Sequence, residues 1–261
     1  MKPLVSIIMP AYNAETYIIE ALTSLQAQTM PLWEVIITDD CSTDKTCDVV
    51  NEMAKEDDRI RLFSFKNNQG AAAARNNSLA YANGRYIAYL DADDVWYPNK
   101  LQNQISFMRD KKIFFSCASY DVIDKNGKYL GRTVHMLDKC DYEKFLTHNL
   151  LQTIGIMIDT KYVDKKLLIM PNLRRCEDAA TWLQILKAGY ICYGISDALG
   201  GYRRVSGSLS SGKLDGARNI WNLYRNIEKI SFSHSIYCFL RYAMLAIWKR
   251  IYHNTKQKGL L

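Results

Sequence analysis

The sequence predicts an α/β fold on an open, mostly parallel sheet flanked by helices. Short apolar runs alternate with helical stretches through the first hundred residues, an order typical of βαβ units. The composition, 48% hydrophobic and 23% charged, is that of a globular protein and excludes disordered, collagenous and coiled-coil chains. A length of 261 residues fits one large domain or two small ones.

Four runs of β-branched or aromatic residues are predicted strands, because parallel strands covered on both faces are apolar at most positions. They are residues 4–9, 34–38, 61–65 and 85–90. Three helices are predicted between them, at residues 15–28, 44–55 and 71–82. Ser42, Thr43 and Asp44 provide capping chemistry before the second helix, and Gly84 follows the third.

The alternation changes after residue 97. We predict helices at residues 98–109 and 177–187, strands at 113–119, 153–158 and 190–193, and a hairpin within 119–133. The turn sequence Asp124-Lys125-Asn126-Gly127 marks that hairpin, and Gly189 follows the second helix. No linker-like stretch precedes residue 205, so one continuous domain followed by helices is the simplest organisation.

The positive charge is concentrated in the last part of the chain. The formal net charge is +7, but residues 229–261 hold six basic residues and no acidic one, which leaves +1 for residues 1–228. A near-neutral body argues against a nucleic-acid partner. Seven scattered cysteines without a C-x-x-C pair predict reduced thiols in a cytoplasmic protein. No apolar run is long enough for a signal peptide or a transmembrane helix.

Polar and aromatic residues follow each of the first four predicted strands. They are Pro10-Ala11-Tyr12-Asn13-Ala14-Glu15, Asp39-Asp40-Cys41-Ser42-Thr43-Asp44, Asn67-Asn68-Gln69-Gly70 leading to Arg75, and Asp91-Ala92-Asp93-Asp94. Ligands of open parallel sheets bind outside the carboxyl ends of the strands. One such aspartate often merely caps a helix, but four clusters at matching positions indicate a ligand site.

The Asp91-Ala92-Asp93-Asp94 stretch predicts a cation site. Three carboxylates within four residues repel one another unless a positive charge neutralises them. A hard ion such as Mg²⁺ or Mn²⁺ suits them, held by one or two carboxylates together with substrate phosphate oxygens. The alternative is a solvated acidic turn that caps the helix beginning near Pro98.

The motifs PAYNAE, TDDCSTD, GAAAARN and YLDADD, in this order and spacing, resemble the family 2 glycosyltransferases, which use nucleotide-diphospho-sugars and have the GT-A fold. The resemblance covers about residues 1–210. It implies a Rossmann-like catalytic domain there, with a nucleotide-sugar half at about 1–97, an acceptor half at about 98–210 and a helical extension at 211–261. It also implies a hexosyltransferase that is inverting, metal-dependent and similar to those of bacterial surface polysaccharides.

The resemblance assigns roles to individual residues. Tyr12 is expected to pack on the nucleotide base, and Asp40 to accept the imide N–H of uracil or thymine, which implies a UDP- or dTDP-sugar donor. Asp93 is expected to bind Mn²⁺ or Mg²⁺. The expected donor-binding residues are Pro10, Ala11, Tyr12, Asn13, Glu15, Asp39, Asp40, Arg75, Asp91, Ala92, Arg203 and Arg204.

Two further elements match the family in the second half of the chain. Arg174-Arg175-Cys176-Glu177-Asp178 resembles its E-D motif, which implies that Asp178 is the catalytic base; alternatively, both acids merely favour the helix dipole. Residues 202–210 resemble a loop that closes over the diphosphate, with Val205 where the family usually has histidine. Gly207 to Lys213 only superficially resembles a P-loop, because Leu214 replaces the required Ser or Thr.

The tail predicts one amphipathic helix. Its apolar stripe is Ile236, Phe239, Leu240, Ala243, Met244, Ile247, Trp248 and Ile251. With basic residues opposite, this helix suits an anionic membrane surface; the alternative is docking on the catalytic body. The membrane interpretation favours a lipid-linked oligosaccharide acceptor, as in O-antigen or capsule synthesis, and a peripheral position on the inner face of the cell membrane. Alternatives are a soluble transferase acting on protein or free glycan, and a non-catalytic nucleotide-binding protein.

Overall fold

The computed structural model describes residues 2–148, 151–204 and 213–258, without the side chains of 213–215 and 246–258. The strands are β1 (Val5–Ala11), β2 (Trp33–Asp39), β3 (Ile60–Ser64), β4 (Tyr86–Tyr89), β5 (Val95–Trp96), β6 (Phe115–Ile123), β7 (Tyr129–Val134), β8 (Lys139–Cys140), β9 (Ile156–Asp159) and β10 (Cys192–Arg203). The helices are α1 (Ile18–Gln26), α2 (Thr46–Glu56), α3 (Ala71–Ala80), α4 (Lys100–Asp110), α5 (Tyr142–His148), α6 (Glu177–Lys187), α7 (Lys213–Asn222) and α8 (Phe232–Lys258).

The ten strands found among the described residues belong to one sheet, whose main order is β3-β2-β1-β4-β9-β6-β10-β5. The pairs β2–β3, β1–β2, β1–β4 and β6–β10 are parallel. Strand β9 lies antiparallel between β4 and β6, so these two strands run in the same direction. Six strands therefore share one direction, which confirms the predicted α/β fold with a mostly parallel central sheet.

The core follows from the apolar strands. Every residue of β2 and β4 is buried, as expected for strands covered by helices on both faces. Residues 153–158, predicted as one strand, form a 3₁₀ turn at Thr153–Gly155 before β9 begins. A side chain at Gly155 would collide with the backbone of β6, because its Cβ would lie 2.4 Å from the Ala118 carbonyl oxygen. The chain therefore turns tightly into β9 at this glycine.

The tail helix α8 docks on the catalytic body over the part whose side chains are described. Ser235 and Cys238 are fully buried, and His234 Nε2 lies 3.0 Å from Glu143 Oε2 of α5. Before α8, Glu228 accepts a hydrogen bond of 2.7 Å from the Tyr142 hydroxyl. Docking, the alternative to membrane contact, is therefore observed for one face of this helix.

A second face of α8 remains exposed. We call Phe232, Ile236, Leu240 and Met244 the outer stripe, since they recur every four residues and are all exposed. Of the predicted apolar stripe, Phe239 instead packs against the core, and the side chains of Ile247, Trp248 and Ile251 lie outside the described ones. Across the described ranges, none of the helices combines the length and apolarity that a membrane span requires.

Candidate active site

The carboxyl ends of the parallel strands bring the predicted motifs to one edge of the sheet. Ala11 at the end of β1 is the register partner of Asp39 at the end of β2. On the other side of β1, Ile8 is the partner of Tyr89, the last residue of β4, and Asp91 follows two residues later. Parallel pairing thus collects the first, second and fourth motifs around the end of β1.

The wall expected to hold the nucleotide base begins at Tyr12, whose surface is 53% exposed. Pro10 is half-buried and Ala11 is buried behind it. Asn13 adopts φ +47°, its backbone N–H donates to Ser42 Oγ at 2.8 Å, and its Oδ1 accepts the Thr43 N–H at 2.8 Å. These bonds connect the loops after β1 and β2, so Asn13 helps to shape this wall.

Glu15 makes a second connection between the same loops. Its carboxylate accepts the Lys45 N–H at 2.9 Å, and its own N–H donates to Asp44 Oδ2 at 3.1 Å. Ala92, the small residue of the fourth motif, is buried. Glu15 therefore lies between the loops that follow β1 and β2, and Ala92 lies in the loop that follows β4.

Asp39 and Asp40 are both buried and both accept backbone hydrogen bonds. Asp39 accepts from the Ser42 N–H at 2.9 Å and from the Ser42 hydroxyl. Asp40 accepts the N–H groups of Gln69 and Gly70, at 2.6 and 2.8 Å, directly before α3. Asp40 therefore fixes the start of α3, and the base contact predicted for it would use a remaining lone pair.

Arg75 on α3 joins the two halves of the site. Its Nη2 lies 2.7 Å from Asp91 Oδ1, and its Nη1 lies 2.9 Å from Glu177 Oε1. The side chain is buried, and its Nε has no hydrogen-bond partner among the residues that the structure describes. Burial acts to lower the pKa of Arg75, but the charges of Asp91 and Glu177 outweigh it and raise that pKa. Arg75 is therefore a permanent cation between these carboxylates.

The three carboxylates of the fourth motif differ in environment. The Asp91 side chain is 31% exposed, Asp93 is exposed, and Asp94 is buried. Partial desolvation in the cleft and the nearby Asp91 charge raise the pKa of Asp93 to about 6. Burial, followed by the charges of Asp93 and Asp91, raises the pKa of Asp94 well above its usual value.

This donor set fits a divalent cation that also binds substrate phosphate. Among the described residues, no cluster of three His, Cys, Asp or Glu side chains forms a complete metal cage. Mg²⁺ and Mn²⁺ sites of nucleotide enzymes use only one or two carboxylates, and phosphate oxygens complete the coordination. Asp93, exposed and held near another carboxylate, is the residue whose charge such a cation would best neutralise.

Asp178 lies in the first turn of α6, beside the arginine bridge. Cys176 precedes this helix with φ +62°, a left-handed conformation that is uncommon for a residue with a side chain. Asp178 Oδ1 accepts the Ala179 N–H at 2.7 Å, and Oδ2 accepts from Thr153 Oγ1 at 3.4 Å. Burial and the adjacent Glu177 charge raise the pKa of Asp178, which makes it a stronger proton acceptor than an ordinary aspartate.

The two arginines at the end of β10 have different surroundings. Arg203 is buried, and its guanidinium donates to Glu20 and to the main-chain oxygens of Asp93, Asp124 and Lys125. Arg204 is exposed. The expected closing loop from Val205 onward and the P-loop-like Gly207–Gly212 stretch lie outside the described residues. Of the expected closing loop, the structure thus describes only the residues that lead into it, up to Arg204.

Sequence reasoning missed two partners of the predicted residues. Glu177 belongs to the E-D motif, but its ion pair with Arg75 spans 102 positions and has no local signal in the sequence. Glu20 is the ion-pair partner of Arg203 and lies on a helix that carries no motif. Both partnerships depend on tertiary packing, which spacing along the chain does not reveal.

Comparison with known proteins agrees with this fold. The family model for Glycosyl transferase family 2 matches residues 6–163. TuaG of Bacillus subtilis (strain 168), named for teichuronic acid biosynthesis, is 40% identical over 250 residues, 96% of this chain and 98% of that protein. WfgD of Escherichia coli, named a UDP-Glc:α-D-GlcNAc-diphosphoundecaprenol β-1,3-glucosyltransferase, is 36% identical over 270 residues, 97% of this chain and 98% of that one.

A solved structure shares the architecture. The crystal structure of S. aureus TarS 1–349 in complex with UDP-GlcNAc matches with a TM-score of 0.70 and 22% identity, over 93% of this chain and 72% of that one. At that identity the likeness shows the fold alone, which is GT-A. The match of the family model over more than half of the chain, together with these full-length relatives, shows that the protein belongs to glycosyl transferase family 2.

Proposed function

We propose that this glycosyltransferase moves a hexosyl group from a UDP- or dTDP-sugar to a hydroxyl group of an acceptor glycan, with inversion. The observation that carries the proposal is the arginine bridge, in which Arg75 holds Asp91 on one side and Glu177 on the other. Asp178 directly follows Glu177, the carboxylate that Arg75 links to Asp91, and the family resemblance places Asp91 near the ribose. Donor binding is assigned to about residues 1–97 and acceptor binding to about 98–210.

In the donor half, recognition of the base relies on stacking and one charged acceptor. Tyr12 offers an exposed ring, on which a flat base can pack. Asp40 offers a carboxylate, which accepts the imide N–H of uracil or thymine; cytosine and adenine lack that group. The ring can pack on any flat base, so the carboxylate is the feature that favours UDP- or dTDP-sugars as donors.

The transfer itself requires one proton acceptor and a stabilised leaving group. Asp178 accepts the proton of the acceptor hydroxyl as that oxygen attacks the anomeric carbon. The bond from the anomeric carbon to the diphosphate oxygen breaks, and the nucleoside diphosphate leaves with its electron pair. Mn²⁺ or Mg²⁺ held by Asp93 and the diphosphate would offset the charge of that leaving group. A single displacement without a covalent intermediate inverts the anomeric configuration.

We propose a lipid-linked glycan as the acceptor, in bacterial O-antigen, capsule or other surface polysaccharide synthesis. WfgD carries the name of an enzyme that uses GlcNAc-diphosphoundecaprenol, and TuaG is named for a cell-surface polymer. Each aligns over nearly the whole of this chain, the tail included, so the similarity is not confined to the donor half.

The tail supports a peripheral position on the inner face of the membrane. The outer stripe leaves four apolar side chains in solvent on a helix whose other face is docked, and residues 229–261 carry only positive formal charges. An apolar face beside basic residues suits the surface of an anionic bilayer. The docked face would then fix how the catalytic body is oriented above the lipid.

The experiment that tests this function is a screen of nucleotide sugars for binding and for release of the nucleoside diphosphate. Each sugar is offered with Mn²⁺, with Mg²⁺ or with a chelator, and with or without a GlcNAc-diphospho-lipid acceptor. We expect UDP or dTDP release that requires both a divalent cation and the acceptor. Binding without any release would indicate a non-catalytic nucleotide-binding protein, and transfer only to free glycan or protein would contradict the lipid-linked acceptor.

A further inference from the structure

Arg203 ends strand β10 at the centre of a hydrogen-bond network. Its Nε donates to the Asp93 carbonyl oxygen at 2.7 Å, and its Nη1 donates to the carbonyl oxygens of Asp124 and Lys125, each at 3.1 Å. Its Nη2 lies 2.7 Å from Glu20 Oε2. Four of its five N–H groups therefore point at three separate elements: the carboxylate loop, the β6–β7 turn and helix α1.

This arrangement does not suit the diphosphate contact that the family resemblance implies for Arg203. Bidentate binding of phosphate needs two parallel N–H groups on one edge of the guanidinium. Here both Nη1 hydrogens are engaged by the β6–β7 turn, and the guanidinium lies over the Tyr17 ring, 4.9 Å from its centroid. The Arg203 side chain has no measurable exposure, whereas the neighbouring Arg204 is exposed.

The same residue fixes the loop that carries the carboxylates. The Arg203 N–H donates to Asp94 Oδ1 at 2.8 Å, in addition to the guanidinium bond to the Asp93 carbonyl oxygen. Just beyond this loop, β5 pairs with β10, and a side chain at Gly200 would lie 2.8 Å from the Val95 carbonyl oxygen. The loop is therefore held against β10 along its second half.

Glu20 completes the arrangement from helix α1. It is the carboxylate that pairs with the buried guanidinium, and its own side chain is 49% exposed. A buried arginine without its counter-charge is strongly disfavoured, so Glu20 helps to keep Arg203 in this position. A change at Glu20 thus disturbs the loop through Arg203, without touching any residue expected to contact the donor.

We propose that Arg203 and Glu20 are a positioning pair, which sets the carboxylate loop in the geometry that binds the divalent cation, and that Arg203 does not contact the diphosphate. This inference rests on the proposed function, because it concerns the metal site of the same reaction. Changes to residues that orient metal ligands typically cost about 10–100-fold in metal affinity. A residue that clamps phosphate would instead change nucleotide affinity.

The test compares Glu20→Gln and Arg203→Lys with Glu52→Gln, which removes an exposed carboxylate whose ion pair lies on α2. Mn²⁺ is titrated calorimetrically into each UDP-loaded protein, and UDP binding is measured separately in chelator. We expect a weakening of Mn²⁺ binding by about tenfold or more in Glu20→Gln and Arg203→Lys. UDP binding in chelator should stay within about twofold of wild type, and Glu52→Gln should match wild type in both.

A second readout, amide hydrogen exchange of ligand-free protein, keeps this inference separate from the proposed function. We expect faster exchange in residues 91–96 of Glu20→Gln and Arg203→Lys than of wild type. Unchanged exchange, or unchanged Mn²⁺ affinity in Glu20→Gln, would overturn the inference, as would a selective loss of UDP affinity in Arg203→Lys. Wild-type protein that binds neither UDP nor Mn²⁺ would refute the proposed function instead. If Arg203→Lys does not fold, Glu20→Gln decides alone, because its side chain is half exposed.

Discussion

Arg75 on α3 forms a buried ion pair with Glu177 at the start of α6, 2.9 Å between Nη1 and Oε1, although 102 positions separate them. The same guanidinium holds Asp91, so one cation joins the carboxylate loop to the helix that carries Asp178. Breaking a buried pair leaves uncompensated charge, which is costly in a low-dielectric interior. This bridge is therefore expected to matter for stability as well as for activity.

Replacing Arg75 tests the bridge directly. Arg75→Met leaves Asp91 and Glu177 without their shared cation, so we expect a loss of about 3–5 kcal/mol in the free energy of unfolding. Arg109→Met is the matched control, because it breaks the exposed Arg109–Asp110 pair and should cost less than about 1 kcal/mol. Urea unfolding measures both values. A loss in Arg75→Met as small as that expected for Arg109→Met would show that the bridge does not stabilise the fold.

The raised pKa of Asp178 predicts how the rate depends on pH. The carboxylate must be ionised to accept a proton, so kcat should fall on acidification at a higher pH than the ordinary aspartate value of 3.8 would give. Glu177→Gln removes the adjacent charge that contributes to the shift, and its acid limb should move to lower pH. An acid limb that stays in place in this variant would rule out Asp178 as the titrating group.

The same shift makes a prediction for stability. Because folding raises the pKa of Asp178, the folded state binds the proton more tightly than the unfolded state, and stability falls as pH rises through that range. At pH 7 the ionised group is thus disfavoured in the fold. We expect Asp178→Asn to have a higher Tm than wild type at pH 7, with the difference vanishing near pH 3. A lower Tm at pH 7 would contradict this.

Lys100 is a buried lysine on helix α4. It is 1% exposed, its ammonium lies 4.1 Å from the centroid of the Trp96 ring, and it donates to Gln104 Oε1. Among the described residues, no carboxylate forms an ion pair with it. Burial lowers the pKa of Lys100 to about 7 from an ordinary 10.5, which means that folding favours the neutral amine.

Lys100→Met should therefore change the pH dependence of stability. Between pH 10.5 and about 7 the unfolded state binds this proton and the folded state does not, so wild-type stability falls as pH decreases through that window. The stability of Lys100→Met relative to wild type should increase from pH 10 to pH 7 and then level off. The lost bond to Gln104 adds the same cost at every pH. Parallel curves for the two proteins would refute this account.

The outer stripe of α8 predicts binding to anionic lipid. Leu240 and Met244 are 58% and 69% exposed, so Leu240→Glu with Met244→Glu should leave the fold intact while adding charge repelled by an anionic surface. We expect a loss of at least about tenfold in binding to phosphatidylglycerol-containing vesicles in flotation. Ile169→Glu, which changes a similarly exposed residue outside the tail, is the control. Equal flotation of wild type and both variants would show that the outer stripe does not bind anionic lipid.

Much of the architecture was predictable, because the apolar runs of the sheet are local signals. The predicted helix at residues 177–187 coincides with α6, and the first four strands agree with β1–β4 within two residues. The hairpin around Asp124–Gly127 also forms, through antiparallel pairing of β6 and β7. Strand ends then placed the four motifs at one edge of the sheet, which is why their clustering was predictable too.

Contacts that depend on tertiary packing could not be predicted from the sequence. Glu20 and Arg203 lie far apart in the chain, and nothing in the spacing of either indicates the other. The docked face of α8 includes Ser235 and Cys238, small residues that an apolar periodicity does not select. The predicted stripe therefore combined residues from two faces, Phe239 on the docked side and Leu240 on the outer one.

The most direct test of the account is sugar transfer by wild type and Asp178→Asn under identical conditions. Labelled UDP-sugar, Mn²⁺ and a GlcNAc-diphospho-lipid acceptor are supplied, the labelled glycolipid is quantified, and UDP binding is measured in parallel. We expect wild type to form the product with inverted configuration. Asp178→Asn should bind UDP as wild type does while its transfer rate falls by about 10²–10⁴-fold, the usual contribution of a general base. Transfer by Asp178→Asn at the wild-type rate would contradict the account.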